Sequence, residues 1–275
     1  AAGALHALVA DHVVQGRVLF PGAGYLEAAR AACAAAGVAE ALVRVRFVQP
    51  LVLDSAEGVW LECALELRAC RFEIRSGDAA ALAEEDATAH CGGGFGASQQ
   101  RALSAPAAPA CRAACVRPVG ARQLYLALRG TGLEYGPAHR TLQAAWSGAA
   151  GVASARLGRR VNRQGTAMHP ADLDGALQLT ALLSAGGVAG ATRLPFGVEQ
   201  ALLAGGGGVL RSSVSADGAD AANVLLERAA DGARAAQLCR FQSRPLERAP
   251  QRRHLYATHW RASDAAVQAA APLLS

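Results

Sequence analysis

The sequence predicts an α+β chain in two halves of one plan, each a long helix with an antiparallel sheet around it. Three observations carry that expectation. Residues 23–36 and 172–185 have strong helix-forming composition. Each is followed by short strand-like runs at hairpin spacing. Between the halves, residues 101–118 are rich in alanine and proline, as a linker would be. A chain of 275 residues fits one large domain or two modest ones and suffices to bury a core.

The first helix, AGYLEAARAACAAA, meets Gly37, a natural stop. Strands are expected at 42–50, 58–67, 70–74 and 85–91, the first alternating apolar and charged residues. These form an N-terminal unit of residues 1–100. After the linker at 101–118, a second unit spans 119–248. It opens with a short helix at 120–129 and strands at 141–148 and 151–157, ahead of its long helix. Strands follow at 194–203, 209–216, 223–229 and 235–243. The tract Gly205–Gly208 is expected to be a hairpin turn, because it lacks the lysine and following helix of a phosphate loop. Residues 249–275 form a tail. The halves share no clear sequence identity, so the repeat is one of structure.

Composition narrows the functional classes. With 52% hydrophobic and 18% charged residues the chain is globular, though much of the hydrophobic share is alanine. The net charge is +5 and every basic residue is arginine, which suits acidic partners and is also what a GC-rich genome favours. Sparse aromatics and the lack of a dense basic run argue against nucleic acid. Seven cysteines at irregular spacing, with no CxxC pair, point to reduced thiols in a cytoplasmic protein rather than to disulfides or zinc. No signal peptide is legible, and no apolar run reaches the roughly 18 residues of a membrane span. The chain starts abruptly in domain-like sequence, as an excised piece of a larger protein would.

Three stretches carry candidate chemistry. In DHVVQGRVLFPGAGYLE, residues 11–27, His12, Gly16, Pro21 and Gly22 precede the first helix. Pro21 suits the first turn, and Gly22 lets another group approach the backbone. A carbonyl at that helix N-terminus would be polarised, and His12 is suited to take a proton near neutral pH. In HPADLDGALQ, residues 169–178, Asp174 and Gln178 share one helix face. Apolar neighbours there would keep the Asp174 carboxyl protonated. Asp172 points elsewhere, as an early-turn charge, and His169 is read as a structural donor to backbone. In GTGLEYGPAH, residues 130–139, Gly136-Pro137 marks a turn that can bring Tyr135 and His139, a second possible base, to a site. The arginine cluster at 156–163 reads as a solvated loop, or as a dock for an acidic carrier.

Together these motifs resemble the dehydratase domains of modular polyketide synthases and animal-type fatty acid synthases. His12, Gly16 and Pro21 match the family's HxxxGxxxxP pattern. Tyr135, Gly136 and Pro137 match YGP. His169, Pro170, Asp174 and Gln178 match HPxxxDxxxQ, and Leu194, Pro195 and Phe196 match LPF. The tail segment HLYATHW, residues 254–260, resembles what often follows such domains. The resemblance implies a double hotdog fold and one tunnel shared by the two halves. Its substrate would be a 3-hydroxyacyl thioester on the phosphopantetheine arm of an acyl carrier protein. His12 would be the base and Asp174 the acid. Gly22 would polarise the thioester carbonyl, Gln178 would hold Asp174, and Tyr135 would assist the hydroxyl. No metal or diffusible cofactor is implied. Expected partners are the carrier and other domains of the same polypeptide, with a homodimer also allowed; neither nucleic acid nor membrane is expected.

Two positions depart from the pattern. Leu133 and His139 stand where the family usually has aromatics near the tunnel, which bears on substrate shape. The same fold also supports double-bond isomerases and cyclases, and synthases retain inactive scaffold domains. Those alternatives stay open at this level.

Overall fold

The structure, a computed structural model, describes residues 6, 8–38, 41–53, 59–83, 86–97, 108–149, 151–183 and 190–246. The tail from 249 and residues 101–107 of the expected linker lie outside the described residues.

Helix α1 (Gly22–Ala35) is where composition places it, and Pro21 is its N-cap at ψ 148° rather than a residue of the first turn. The end is set by Gly37 at φ +66°. That left-handed residue lets the Gly37 and Val38 N–H groups return to the carbonyls of Ala34 and Cys33. Strands β1 (His12–Val14) and β2 (Arg17–Val18) precede it, joined by a turn in which Gly16 takes φ +78°.

Strands β3 (Ala41–Phe47), β4 (Trp60–Glu66), β5 (Arg71–Gly77) and β6 (Thr88–Gly96) follow, with the five-residue α2 (Ala79–Ala83) packed on β5. The glycine run at 92–94 lies inside β6, where propensity alone argues against a strand. A Cβ on Gly93 would sit 3.0 Å from the Phe72 ring and from the Val43 carbonyl oxygen, so close approach of β3 and β5 requires glycine there.

The stretch read as a linker is partly ordered structure. Helix α3 (Ala108–Ala114) buries Cys111, and Cys115 just beyond it is buried too. Arg112 lies 4.0 Å above the Trp146 ring, and β7 (Arg117–Val119) pairs with a strand of the main sheet. Alanine and proline gave the flexible appearance; burial of two thiols against the sheet overrides it. Helix α4 (Ala121–Gly130), β8 (Leu133–Tyr135), β9 (Leu142–Ser147) and β10 (Val152–Arg160) come next. Helix α5 (Pro170–Gln178) is shorter than the composition suggests and passes into a 3-10 turn at Leu179–Leu182.

Strands β11 (Arg193–Leu203), β12 (Gly208–Ala216), β13 (Ala221–Arg228) and β14 (Arg234–Pro245) complete the chain. The main sheet has 11 antiparallel strands in the order β4-β5-β6-β3-β11-β14-β13-β12-β10-β9-β7. The expected hairpin at Gly205–Gly208 is not formed. Strands β11 and β12 are separated by β14 and β13, so the glycine tract is a crossover. The Ala204 and Gly205 N–H groups both donate to the Ala235 carbonyl, with Gly205 at φ +82°.

One sheet thus runs through both halves, joined by the β3–β11 pairing from Gly197↔Arg46 to Leu202↔Ala41. Helix α1 packs on β3, β4 and β5, while α5 packs on β10, β12 and β13, and the two helices touch. Every residue of α5 is buried. A second, small sheet, β2-β1-β8, brings the opening stretch beside the YGP turn. No helix among the described residues is long and apolar enough to cross a membrane.

Candidate active site

His12 opens β1, and its backbone pairs with Tyr135 of β8. The ring is buried. Its Nδ1 lies 2.9 Å from the Leu19 carbonyl oxygen. A carbonyl only accepts, so Nδ1 carries the proton and the neutral ring keeps its lone pair on Nε2. That nitrogen faces Asp174, with Nε2 to Oδ1 at 3.8 Å. Tyr135 meets the His12 ring edge-on at 5.7 Å, and His139 lies at 5.5 Å.

Asp174 is on α5, a helix that Pro170 begins and His169 caps. His169 Nδ1 accepts the Ala171 N–H at 3.1 Å, and its Nε2 lies 2.9 Å from Gln164 Oε1. The sequence reading made His169 a donor to backbone; with Pro170 lacking an N–H, the free helix amide to be satisfied is that of Ala171, and the ring accepts it. Burial, and the Arg160 charge second, hold the His169 imidazole down at about 4. One helical turn after Asp174, Gln178 donates from Nε2 to Asp174 Oδ2 at 2.9 Å and to the His139 carbonyl at 3.1 Å. Burial pushes the Asp174 carboxyl above its ordinary range, opposed by His12 and by the Gln178 bond. Tyr135 is buried beside it, and desolvation keeps its phenol protonated.

His12, Asp174, Tyr135, Gln178 and Leu133 share the wall of a cavity of about 330 Å³. Leu128 and Leu177 add apolar wall, and the Thr180 hydroxyl is turned away to donate to the Leu177 carbonyl. The rest of the lining is mainly apolar, with Leu194, Pro195 and Phe241, and carries a polar group at Arg193, Asp220 and Ser243. Arg193 donates to Asp220 at 2.6 Å and to the Ser243 carbonyl at 2.5 Å.

Gly16, Pro21, Gly22 and His139 are not on that wall. Gly16 turns the β1–β2 hairpin and Pro21 caps α1. Gly22 backs onto Pro195, which does line the cavity; a Cβ on Gly22 would come within 2.9 Å of the Pro195 ring. His139 is fully buried behind His12, and neither ring nitrogen has a hydrogen-bond partner among the described residues. Burial first, then the neighbouring His12, push its imidazole down to about 2, so it stays neutral near neutral pH. Among the described residues no group of three His, Cys, Asp or Glu is arranged to hold a metal ion.

Several supporting residues escaped the sequence reading. Asp11 accepts the Ala138 N–H, and Arg160 reaches both Asp172 and the Ala138 carbonyl. Thus one member of the arginine cluster is half-buried and tied to α5 and to the turn at Ala138. Glu27 on α1 accepts from Arg30 at 2.7 and 3.0 Å and from the Ala167 N–H at 2.6 Å. Adjacency to His12 is a signal for Asp11; nothing local marks Glu27 or Arg160.

Comparison with known proteins places this arrangement. Residues 104–253 match the family model "Polyketide synthase dehydratase N-terminal domain", and residues 2–77 match "Polyketide synthase dehydratase domain". Polyketide synthase GfsE of Streptomyces halstedii is 36% identical over 257 residues, covering 88% of this chain and 6% of that protein. Polyketide synthase ThaG of Burkholderia thailandensis is 34% identical over 195 residues, covering 62% of this chain and 3% of that one. The chain therefore spans a small fraction of these relatives. Among solved structures, the dehydratase domain of the CurK module of curacin polyketide synthase superposes with TM-score 0.74 at 20% identity, covering 88% of this chain and 89% of that one. A dehydratase from work on substrate selection for the borrelidin and fluvirucin synthases gives TM-score 0.70 at 28% identity, covering 88% and 85%. The antiparallel sheet wrapped on two touching helices is the double hotdog, and the chain belongs to the polyketide synthase dehydratase family.

Proposed function

We propose that the chain removes water from a 3-hydroxyacyl thioester carried by an acyl carrier protein, giving the 2-enoyl thioester, with His12 as base and Asp174 as acid. The observation that carries this reading is the facing pair. The basic nitrogen of His12 and the buried carboxyl of Asp174 lie 3.8 Å apart on one cavity wall. A histidine-to-phenylalanine and an aspartate-to-asparagine mutant of CurK dehydratase, which shares the fold, are described as inactive, and this supports the same pair.

The proposed cycle begins with the lone pair free on His12 Nε2 and the proton on Asp174. His12 Nε2 takes a proton from the α carbon. The freed electron pair forms the Cα–Cβ double bond, and the Cβ–O bond breaks with its electrons on oxygen. Asp174 gives that oxygen its proton, and water leaves. Imidazolium and carboxylate then face each other in a buried site, where their attraction is strong. A proton passing back from His12 to Asp174 restores the start. Gln178 holds the carboxyl group, and the leucines of the wall keep bulk water from the reacting atoms. The balance needs no redox or metal cofactor. The carrier, the other domains of a synthase polypeptide and a second copy of the chain are the partners this reading assigns.

The test is mass spectrometry of a 3-hydroxyacyl-pantetheine thioester incubated with the protein. Loss of one water is the expected result. No change of mass would instead point to an isomerase or cyclase acting on another substrate, or to a scaffold, and an enoyl or hydroxy-enoyl thioester separates these.

A further inference from the structure

His12 and Asp174 reach the site from elements far apart in sequence, and one short turn touches both. That turn is Gly136–His139. On one side it is bound to Asp11, the residue before His12. The Gly136 N–H donates to the Asp11 carbonyl at 2.8 Å, and the Ala138 N–H donates to Asp11 Oδ2 at 2.5 Å. A Cβ on Gly136 would run into the Asp11 carboxyl carbon, so the fit admits only glycine there.

On its other side the turn is bound to α5. Arg160 donates from Nη2 to the Ala138 carbonyl at 3.1 Å and from Nε to Asp172 Oδ1 at 3.0 Å. Asp172 is buried in the first turn of α5, two residues before Asp174. The His139 carbonyl adds a third tie by accepting from Gln178, which also holds Asp174. Ala138 is therefore gripped at its N–H by the His12 side and at its carbonyl by the Asp174 side.

We propose that Asp11 and Arg160 are positioning residues that set the separation of His12 and Asp174 by clamping this shared turn from opposite sides. The proposal rests on reading that pair as base and acid. Neither Asp11 nor Arg160 lines the cavity, so neither touches substrate. They act through the placement of two groups that must meet the α proton and the β hydroxyl together. A misplacement on the order of 1 Å costs up to about a hundredfold in rate.

The test compares wild type with Asp11→Ala, Asp11→Asn, Arg160→Ala and Arg160→Lys. Turnover of the hydroxyacyl thioester is one readout. The imidazole nitrogen shifts of His12 in 15N-histidine-labelled protein are the other, with His90, held by Ser76 and Gln49, as internal control. For Asp11→Ala and Arg160→Ala the expected result is a kcat lowered on the order of tenfold to a hundredfold, KM nearly unchanged, moved His12 signals and unmoved His90 signals. Asp11→Asn keeps an acceptor oxygen for Ala138 and recovers most of the loss. Lysine lacks the fork that spans Asp172 and Ala138, so Arg160→Lys does not recover it. If an alanine variant fails to fold, Asp11→Asn against Arg160→Lys still decides by the same signals. Unmoved His12 signals with kcat within about twofold of wild type, or a loss in KM alone, overturn the proposal. A wild type that removes no water defeats the base-and-acid reading on its own, and the His12 shifts then still report whether the turn sets the ring.

Discussion

The Leu19 carbonyl fixes which nitrogen of His12 is free, and burial pushes the Asp174 carboxyl above its ordinary range; both effects suit the proposed roles of base and acid. With Nε2 and Oδ1 3.8 Å apart on one wall, the proposed pair is expected to take the α proton and the β hydroxyl from the same face of the chain. A substrate stereospecifically deuterated at the α carbon checks this: deuterium syn to the hydroxyl is lost and deuterium anti to it is retained. His139 makes a separate prediction. Its buried ring has two nitrogens with no partner among the described residues, and such groups cost about 1–3 kcal/mol each. His139→Phe therefore raises the urea midpoint at neutral pH. The pH dependence has a definite sign. His139 and His169 stay neutral in the fold down to about 2 and about 4, while in the unfolded chain they take up protons below about 6.5. The unfolded state then binds more protons, so stability is full above about 6.5 and is lost as pH falls towards the folded values. His139→Phe removes part of that slope, which urea titrations at several pH values measure.

At the scale of elements, α5 is pressed against its neighbours. A Cβ on Gly175 would run into the Thr141 hydroxyl, whose oxygen already lies 3.5 Å from the Ala171 carbonyl. Gly175→Ala is expected to cost about 1–3 kcal/mol through overpacking and to lower kcat by moving Asp174. An unaltered denaturation midpoint would contradict the close packing. What could be read from sequence at this scale followed local chemistry. The start of α1 at Pro21, its end at Gly37 and the alternating β3 were legible because caps and period act within a few residues. The glycine run inside β6, the helix α3 within an alanine-proline stretch and the crossover at Gly205–Gly208 were not. Each is decided by a partner distant in sequence: Phe72 and Val43 for Gly93, the sheet for Cys111 and Cys115, and the insertion of β14 and β13 between β11 and β12. The site divides in the same way. His12, Asp174, Tyr135 and Gln178 were found by motif and do share one cavity wall. Asp11 and Arg160 were missed because their partners belong to a turn over a hundred residues from Asp11 and some twenty before Arg160.

The main sheet crosses both halves, and the cavity takes His12 from the first half and the rest of its lining from the second. Glu27 is a joint between them: from α1 it holds Arg30 and the Ala167 N–H just ahead of α5. Glu27→Ala leaves that amide unpartnered, with an expected cost of about 1–3 kcal/mol, the Arg30 head being partly in water. Urea unfolding followed by tryptophan fluorescence checks it, because Trp60 reports on one half and Trp146 on the other. A midpoint equal to wild type would show that the joint carries no stability. Seven free thiols have no part in this account; burial pushes Cys63 up to about 12 and Cys115 to about 11, far from reactive thiolates.

On the proposed mechanism His12 and Asp174 act as one base–acid pair. Mass spectrometry of a 3-hydroxyacyl thioester incubated with wild type, His12→Ala and Asp174→Asn tests it most directly. Loss of one water is expected with wild type and a rate lower by about 10²–10⁴ with either variant. The double variant is expected to be no worse than the poorer single one, since two groups acting as a unit are not additive. Water loss at the wild-type rate in either variant would contradict that mechanism.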